Sequence, residues 1–193
     1  FKYAPQLKND FTFPEQYMKG FLKSYPMLFV GGAGSIAHMH YDIDLAHIFH
    51  TQFIGRKRVL LLENNQSELI YKMPATVESA ASFVNWQEEL DYEHFPALQH
   101  AKAYTIILEH GDTLFMPSAY WHHMQYMDSG FAMSLRAMPA GVSGKLNALY
   151  HILGMRGFNN MLIKLAPEWW YNYKRKVAHK NATKAMKQMQ AVA

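Results

Sequence analysis

Ser35-Ile36-Ala37-His38-Met39-His40-Tyr41-Asp42 follows directly on Gly31-Gly32-Ala33-Gly34, and its reading as a β-strand decides the fold. Residues two apart on a strand project from the same face, so His40 and Asp42 present an imidazole and a carboxylate side by side. A second histidine from a neighbouring strand would complete a set of two histidines and one carboxylate. Such a set leaves open positions on a metal and suits non-haem Fe(II) oxygen chemistry. Candidates for it lie in Pro117-Ser118-Ala119-Tyr120-Trp121-His122-His123. A His-x-Asp tripeptide alone is common, so the surrounding pattern has to carry the reading.

Working outward, short strands bounded by turn signals recur on both sides. Residues 26–30 (Pro-Met-Leu-Phe-Val) read as a buried strand. The glycine-rich run after it lacks both G-x-G-x-x-G and a Walker lysine, which makes it a tight turn rather than a phosphate loop. Residues 48–54 and, past Gly55, 56–62 are strands by composition. On the latter, Lys57 shares a face with Val59 and Leu61, and Arg56 and Arg58 share the other with Leu60 and Leu62. A lysine facing a barrel interior needs an anion, because an unpaired buried charge is costly; otherwise Lys57 sits solvated at a strand mouth.

Residues 63–102 are looser and carry Glu78, Glu88, Glu89, Asp91 and Glu93. They read as a partly helical insertion that lies over the mouth of the site, its acids forming a solvated face. Strands resume at 104–108, 113–116, 120–127 and 131–138. On the third of these, Tyr120, His122, Met124 and Tyr126 share one face, and Trp121, His123, Gln125 and Met127 the other. On the last, Ala132, Ser134, Arg136 and Met138 alternate with Phe131, Met133 and Leu135. This pattern predicts a mainly β domain over residues 1–140, a barrel or sandwich. Ahead of it, Phe13-Pro14-Glu15 signals a short amphipathic helix over 15–24.

After Pro139-Ala140-Gly141 the period changes. Leu146, Leu149, Tyr150 and Leu153 follow helical spacing, as do Met161, Leu162 and Leu165, then Trp169, Tyr173 and Val177. Pro167 suits the first turn of the last helix. Residues 141–193 are therefore expected as a helical appendage, its apolar stripes covering the β core or meeting a second copy.

At 193 residues and 50% hydrophobic content the chain can bury a sizeable core, which excludes a disordered segment. No apolar run has the length of a membrane span. With no cysteine, disulfides and thiolate metal sites are excluded, so any metal falls to His, Asp or Glu; a reducing cytoplasm fits. The first residue is Phe, so the native N-terminus is expected upstream. The net charge of +4 is uneven: beyond Ser129 the only acid is Glu168, whereas lysines and arginines recur. Such a basic tail is either a solvated helix face or a surface for an anionic partner such as nucleic acid.

Taken in order, the glycine-rich strand entry, His40-Tyr41-Asp42, Gln52-Phe53-Ile54-Gly55-Arg56-Lys57-Arg58, Asp91-Tyr92-Glu93-His94-Phe95-Pro96, Gly111-Asp112-Thr113-Leu114-Phe115-Met116-Pro117 and Trp121-His122 closely resemble the cupin-like JmjC hydroxylases. The resemblance covers about residues 26–138. It implies a double-stranded β-helix (jelly-roll) barrel with Fe(II) held by His40, Asp42 and His122. His122 is preferred to His123 because it follows Pro117 at the family's spacing. By the same resemblance Lys57 falls on the lysine that pairs with the distal carboxylate of 2-oxoglutarate. The implied activity is an O2-dependent hydroxylation of a protein side chain, asparaginyl-hydroxylase-like, coupled to decarboxylation of 2-oxoglutarate. A tRNA or other RNA substrate, or a non-enzymatic metal-binding cupin, are the alternatives. A homodimer through the C-terminal helices is expected as well.

Several positions depart from that family. The threonine that precedes the first ligand and helps bind the cosubstrate is Ala37 here, and Ile48 stands at a customary asparagine; His47 or His50 could substitute. A later asparagine is Arg136, which could hold a carboxylate bidentately. The upstream region that lends the pocket a tyrosine in the family falls largely outside this sequence.

Overall fold

The computed structural model describes residues 5–76, 82–87 and 89–190; Glu78 and Glu88, two of the insertion's acids, lie outside them. Among the described residues there are eight strands: β1 (Met27–Gly31), β2 (Ile36–His40), β3 (His47–Ile54), β4 (Lys57–Leu62), β5 (Tyr104–Leu108), β6 (Thr113–Met116), β7 (Trp121–Tyr126) and β8 (Gly130–Ala137). They form two antiparallel four-stranded sheets, ordered β1-β8-β3-β6 and β2-β7-β4-β5. This is the jelly-roll arrangement, but not the closed barrel expected, since no strand ladder joins the two sheets among the described residues.

The sandwich is filled from alternating positions. Between the sheets, Ile48 and Met116 meet Val59, Leu61, Leu108 and Met124. The opposite face of β4 is buried too: Leu60 and Leu62 join Met39, Trp121 and insertion residues such as Ile70 and Leu98 in a second cluster. The insertion therefore covers the outer face of the β4 sheet rather than the mouth of the site. Burying each such leucine stabilises the fold by about 2 kcal/mol. The tight β3–β4 turn needs Gly55, whose φ of 73° is left-handed and whose side would otherwise meet the Ser129 carbonyl.

The outer face of the other sheet is covered in part by the N-terminal segment, where Phe13, Phe21 and Phe49 form a chain of ring contacts at 5.5 and 5.6 Å. β1, expected as a buried strand, is instead an edge strand with Leu28 and Val30 exposed. The expected helix over residues 15–24 is absent. Its backbone instead pairs with the end of β8, with Leu22 N–H donating to Arg136 O at 2.8 Å and Met138 N–H to Gly20 O at 3.0 Å. β8 extends past its last pair with β1, so its free edge outbids a short helix for these donors.

The tail is helical: α1 (Gly141–Leu149), a π-helical turn (Tyr150–Met155), α2 (Arg156–Leu165) and α3 (Pro167–Gln190). Pro167 opens α3, where its missing N–H is not needed. Ala178 and Ala182 of α3 lie in the same cluster as Leu62 and Trp121, which lets the helix approach the sheet closely.

Candidate metal centre

β2 and β7 are register partners at His40 and His122, and the two imidazole rings lie 4.3 Å apart, centre to centre. A bulge between Ala37 and His40 makes this possible. Ala37 and His40 are an odd number of positions apart, yet both line one cavity, so the extra residue re-aims His40. Asp42 follows just past the end of β2, with Oδ1 4.0 Å from His40 Nε2. One ligating atom from each of His40, Asp42 and His122 lies within 4.8 Å of the others.

The donor set suits a divalent metal. His40 Nδ1–H donates to the His38 carbonyl at 2.6 Å and His122 Nδ1–H to the Tyr120 carbonyl at 3.2 Å. Both rings thereby keep a bare Nε2 lone pair, the tautomer a metal requires. Burial, with His40 next to it, pushes His122 down to about 4, so it stays neutral at physiological pH. The Asp42 Oδ2 atom is buried without a hydrogen bond. It has the Arg136 guanidinium 3.2 Å away, an ion pair that falls short of hydrogen-bond alignment. His123 points to the other face of β7, where burial likewise holds it down at about 4, and it takes no part in the cluster.

The cavity holding these residues has a volume of about 500 Å³ and borders the inter-sheet cluster at Ile48, Met116 and Met124. Lys57 also lines it, 1% exposed, with Nζ 2.9 Å from His50 Nε2 and 4.3 Å from the centre of the Tyr126 ring. His50 Nδ1–H in turn donates to Ser134 Oγ at 2.8 Å. Burial, with Lys57 beside it, lowers His50 to about 3, so it is a neutral acceptor for the lysine. Burial lowers Lys57 itself to about 8. Among the described residues no carboxylate pairs with this ammonium.

Arg136 lines the same cavity but already holds an acid. Its Nε donates to Asp44 Oδ2 at 3.1 Å and one terminal nitrogen to Asp44 Oδ1 at 2.5 Å. Burial works against its charge, yet Asp42 and Asp44 outweigh that and raise its pKa. His47 is placed outside the cavity: it occupies the outward face of β3 with Phe49, stacks on Phe115 at 6.0 Å and accepts from Ser118 N–H. Of the candidate site residues, His40, Asp42, His122, Lys57 and Arg136 come together and His47 does not. Strand alternation with the buried Ile48 pointed to His50 all along. Ser134 could have been found by the same rule on β8, whereas Asp44 sits in a turn and gives no periodic signal.

A jelly-roll sandwich with two histidines and an aspartate converging on an inter-sheet cavity is the architecture of cupin-type metalloproteins. The chain belongs to the family described as the cupin-like domain, which it matches over residues 1–172. Some of its relatives carry JmjC names, and others are named for demethylation or for tRNA modification. It is 27% identical over 139 residues to Jumonji C domain-containing protein 5 of Drosophila melanogaster, covering 69% of this chain and 34% of that protein. It is 27% identical over 137 residues to lysine-specific demethylase 8 of Xenopus tropicalis, covering 69% and 30%. It is 30% identical over 135 residues to tRNA wybutosine-synthesizing protein 5 of Gallus gallus, covering 69% and 40%. The matched region thus spans 30% to 40% of the length of these curated relatives.

Proposed function

We propose that this chain is the catalytic domain of an Fe(II)- and 2-oxoglutarate-dependent dioxygenase that hydroxylates a protein side chain, asparaginyl-hydroxylase-like. The observation that carries this reading is Lys57, a buried cation without an acidic partner among the described residues, facing the same cavity as His40, Asp42 and His122. A buried ammonium left unpaired is costly, and the distal carboxylate of 2-oxoglutarate would supply the missing charge.

Iron with 2-oxoglutarate supplies the oxidising chemistry when bound: the substrate C–H, O2 and 2-oxoglutarate give the C–OH product, succinate and CO2. The protein's part is positioning. His40 and His122 offer Nε2 and Asp42 offers Oδ1, from the end of β2 and the facing position on β7. His50 Nε2 accepts one hydrogen bond from the Lys57 ammonium, which leaves the other N–H groups of that ammonium for a carboxylate. Tyr126 and Phe29 flank the same nitrogen with aromatic faces and keep water away from it.

The test is 2-oxoglutarate binding to the Mn(II)-loaded protein under anaerobic conditions, by calorimetry. Binding is expected to require metal and to fall at least tenfold in Lys57→Ala, as a charge-assisted contact is removed. Metal uptake with no 2-oxoglutarate binding by the wild type would sink the reading. That outcome would favour the second one, a metal-binding cupin without oxygenase activity, which the apolar Ala37 and Ile48 in the cavity wall support. An RNA substrate for the same catalyst is the reading to which the relative named for tRNA wybutosine synthesis lends support.

A further inference from the structure

α3 is packed along one face and bare along the opposite one. Ala178 and Ala182 are fully buried against the sheet cluster, and Lys174 on the same side is buried with its ammonium donating to Thr76 and Asn159. At 3.6 residues per turn, Trp169, Tyr173, Lys176, Lys180, Lys184 and Lys187 fall together on the side away from these, and all six are exposed. The stripe has two halves. At the N-terminal end the Trp169 and Tyr173 rings stack at 5.5 Å and 16°. Buried Trp170 lies nearly parallel to both, and its indole N–H is fixed by Asn159 Oδ1 at 2.9 Å, so the aromatic stack is anchored.

Beyond the aromatics, the lysines follow about one per turn, roughly 5–6 Å apart along the axis. None of them takes part in an ion pair among the described residues, and the sole acid of α3 is Glu168 in its first turn. Like charges at i,i+4 destabilise a helix unless a counter-charge arrives.

We propose that this face of α3 binds single-stranded RNA, its phosphates running along the lysines and an unpaired base stacking on Trp169 and Tyr173. The chemistry favours this partner over the other polyanions. A membrane surface would take the apolar face of a helix, and the apolar face of α3 is consumed by the core. An acidic protein segment would match the lysines but gives the parallel ring stack nothing to do. Exposed Asn172 and Thr183 border the stripe; Asn172 offers an amide to a ribose 2′-OH, and Thr183 Oγ1, which donates to the His179 carbonyl at 2.9 Å, offers an acceptor. The surface is separate from the cavity, so RNA binding here stands whether or not RNA is the molecule hydroxylated.

The experiment is fluorescence anisotropy of a labelled oligouridine titrated with the full chain at rising salt, beside the matching DNA strand and polyglutamate. RNA binding is expected to weaken with a log–log salt slope of about −3, for roughly four phosphates contacted on a single strand. Lys180→Ala should reduce that slope by about 0.7. Trp169→Ala should weaken binding about tenfold and leave the slope unchanged, a separation that a general loss of fold would not produce. Absence of RNA binding at low salt overturns the proposal, and so does undiminished binding by a Lys176→Ala/Lys180→Ala/Lys184→Ala variant. DNA bound as tightly as RNA removes the 2′-OH role and the commitment to RNA with it. Polyglutamate bound as tightly reassigns the face to an acidic protein partner. The oxygenase reading is untouched by any of these results, because 2-oxoglutarate binding reads the cavity alone.

Discussion

Arg136 is gripped from one side by Asp44 and reaches Asp42 from the other, so the turn after β2 and the end of β8 lock each other. With the guanidinium facing Asp42 Oδ2, the other oxygen of that carboxylate is the one left toward the histidines. Asp44 is therefore placed to position the Asp42 carboxylate through Arg136, and it lies outside the candidate metal cluster. Asp44→Asn should lower Mn(II) affinity about tenfold, the size expected when an outer partner of a ligand is lost. Titration followed by electron paramagnetic resonance checks this, and an unchanged affinity would show that the pair is only structural. His40, Asp42, His122 and Lys57 were legible from spacing and resemblance. Asp44 was not, because its partner lies on a distant strand and only register brings the two together.

α2 and α3 are joined at the element scale by one buried polar cluster. Asn159 Oδ1 accepts from the Trp170 indole N–H at 2.9 Å and from the Lys174 ammonium at 3.2 Å, and Lys174 also reaches Thr76 in the insertion. Removing the shared acceptor leaves two buried donors short of a partner. Asn159→Ala is expected to destabilise the protein by about 2 kcal/mol or more in chemical denaturation, with metal binding by the folded protein unchanged. Lys174 belongs to this structural set, not to the basic surface that the tail's composition suggests. A sequence shows a lysine's charge but not which side of the helix the core claims. The residues 15–24 taught the same lesson in reverse: their amphipathic spacing was real, but the open edge of β8 satisfied their backbone better than a short helix could.

At the scale of the whole molecule, the tail ahead of α3 presents an uncovered apolar surface. Val142, Leu146, Leu149 and Leu153 recur on one side of α1 and the π-helical turn and are all exposed, Leu153 to 66%. A contiguous apolar face of this kind marks an interaction site. A second copy of the chain is the expected cover, since a two-fold interface lets one patch satisfy itself. Light scattering at micromolar concentration should give the mass of two chains, and Leu153→Asp should return it to one. A wild-type monomer would count against the pairing.

The sequence alone determined the strands, the helical tail and, apart from the bulge in β2, the side chains that share a face, because these depend on local period: two for the strands, 3.6 for the helices. It also singled out the metal-ligand candidates and Lys57, by strand spacing together with the resemblance to a known family. The tertiary structure decided the rest. Two separate sheets, an insertion on the outer face rather than over the mouth, His50 and Ser134 behind Lys57, and Asp44 behind Arg136 all follow from contacts between segments far apart in the chain. Such contacts are fixed by strand register and by competition for buried surface, and neither leaves a periodic mark on the sequence.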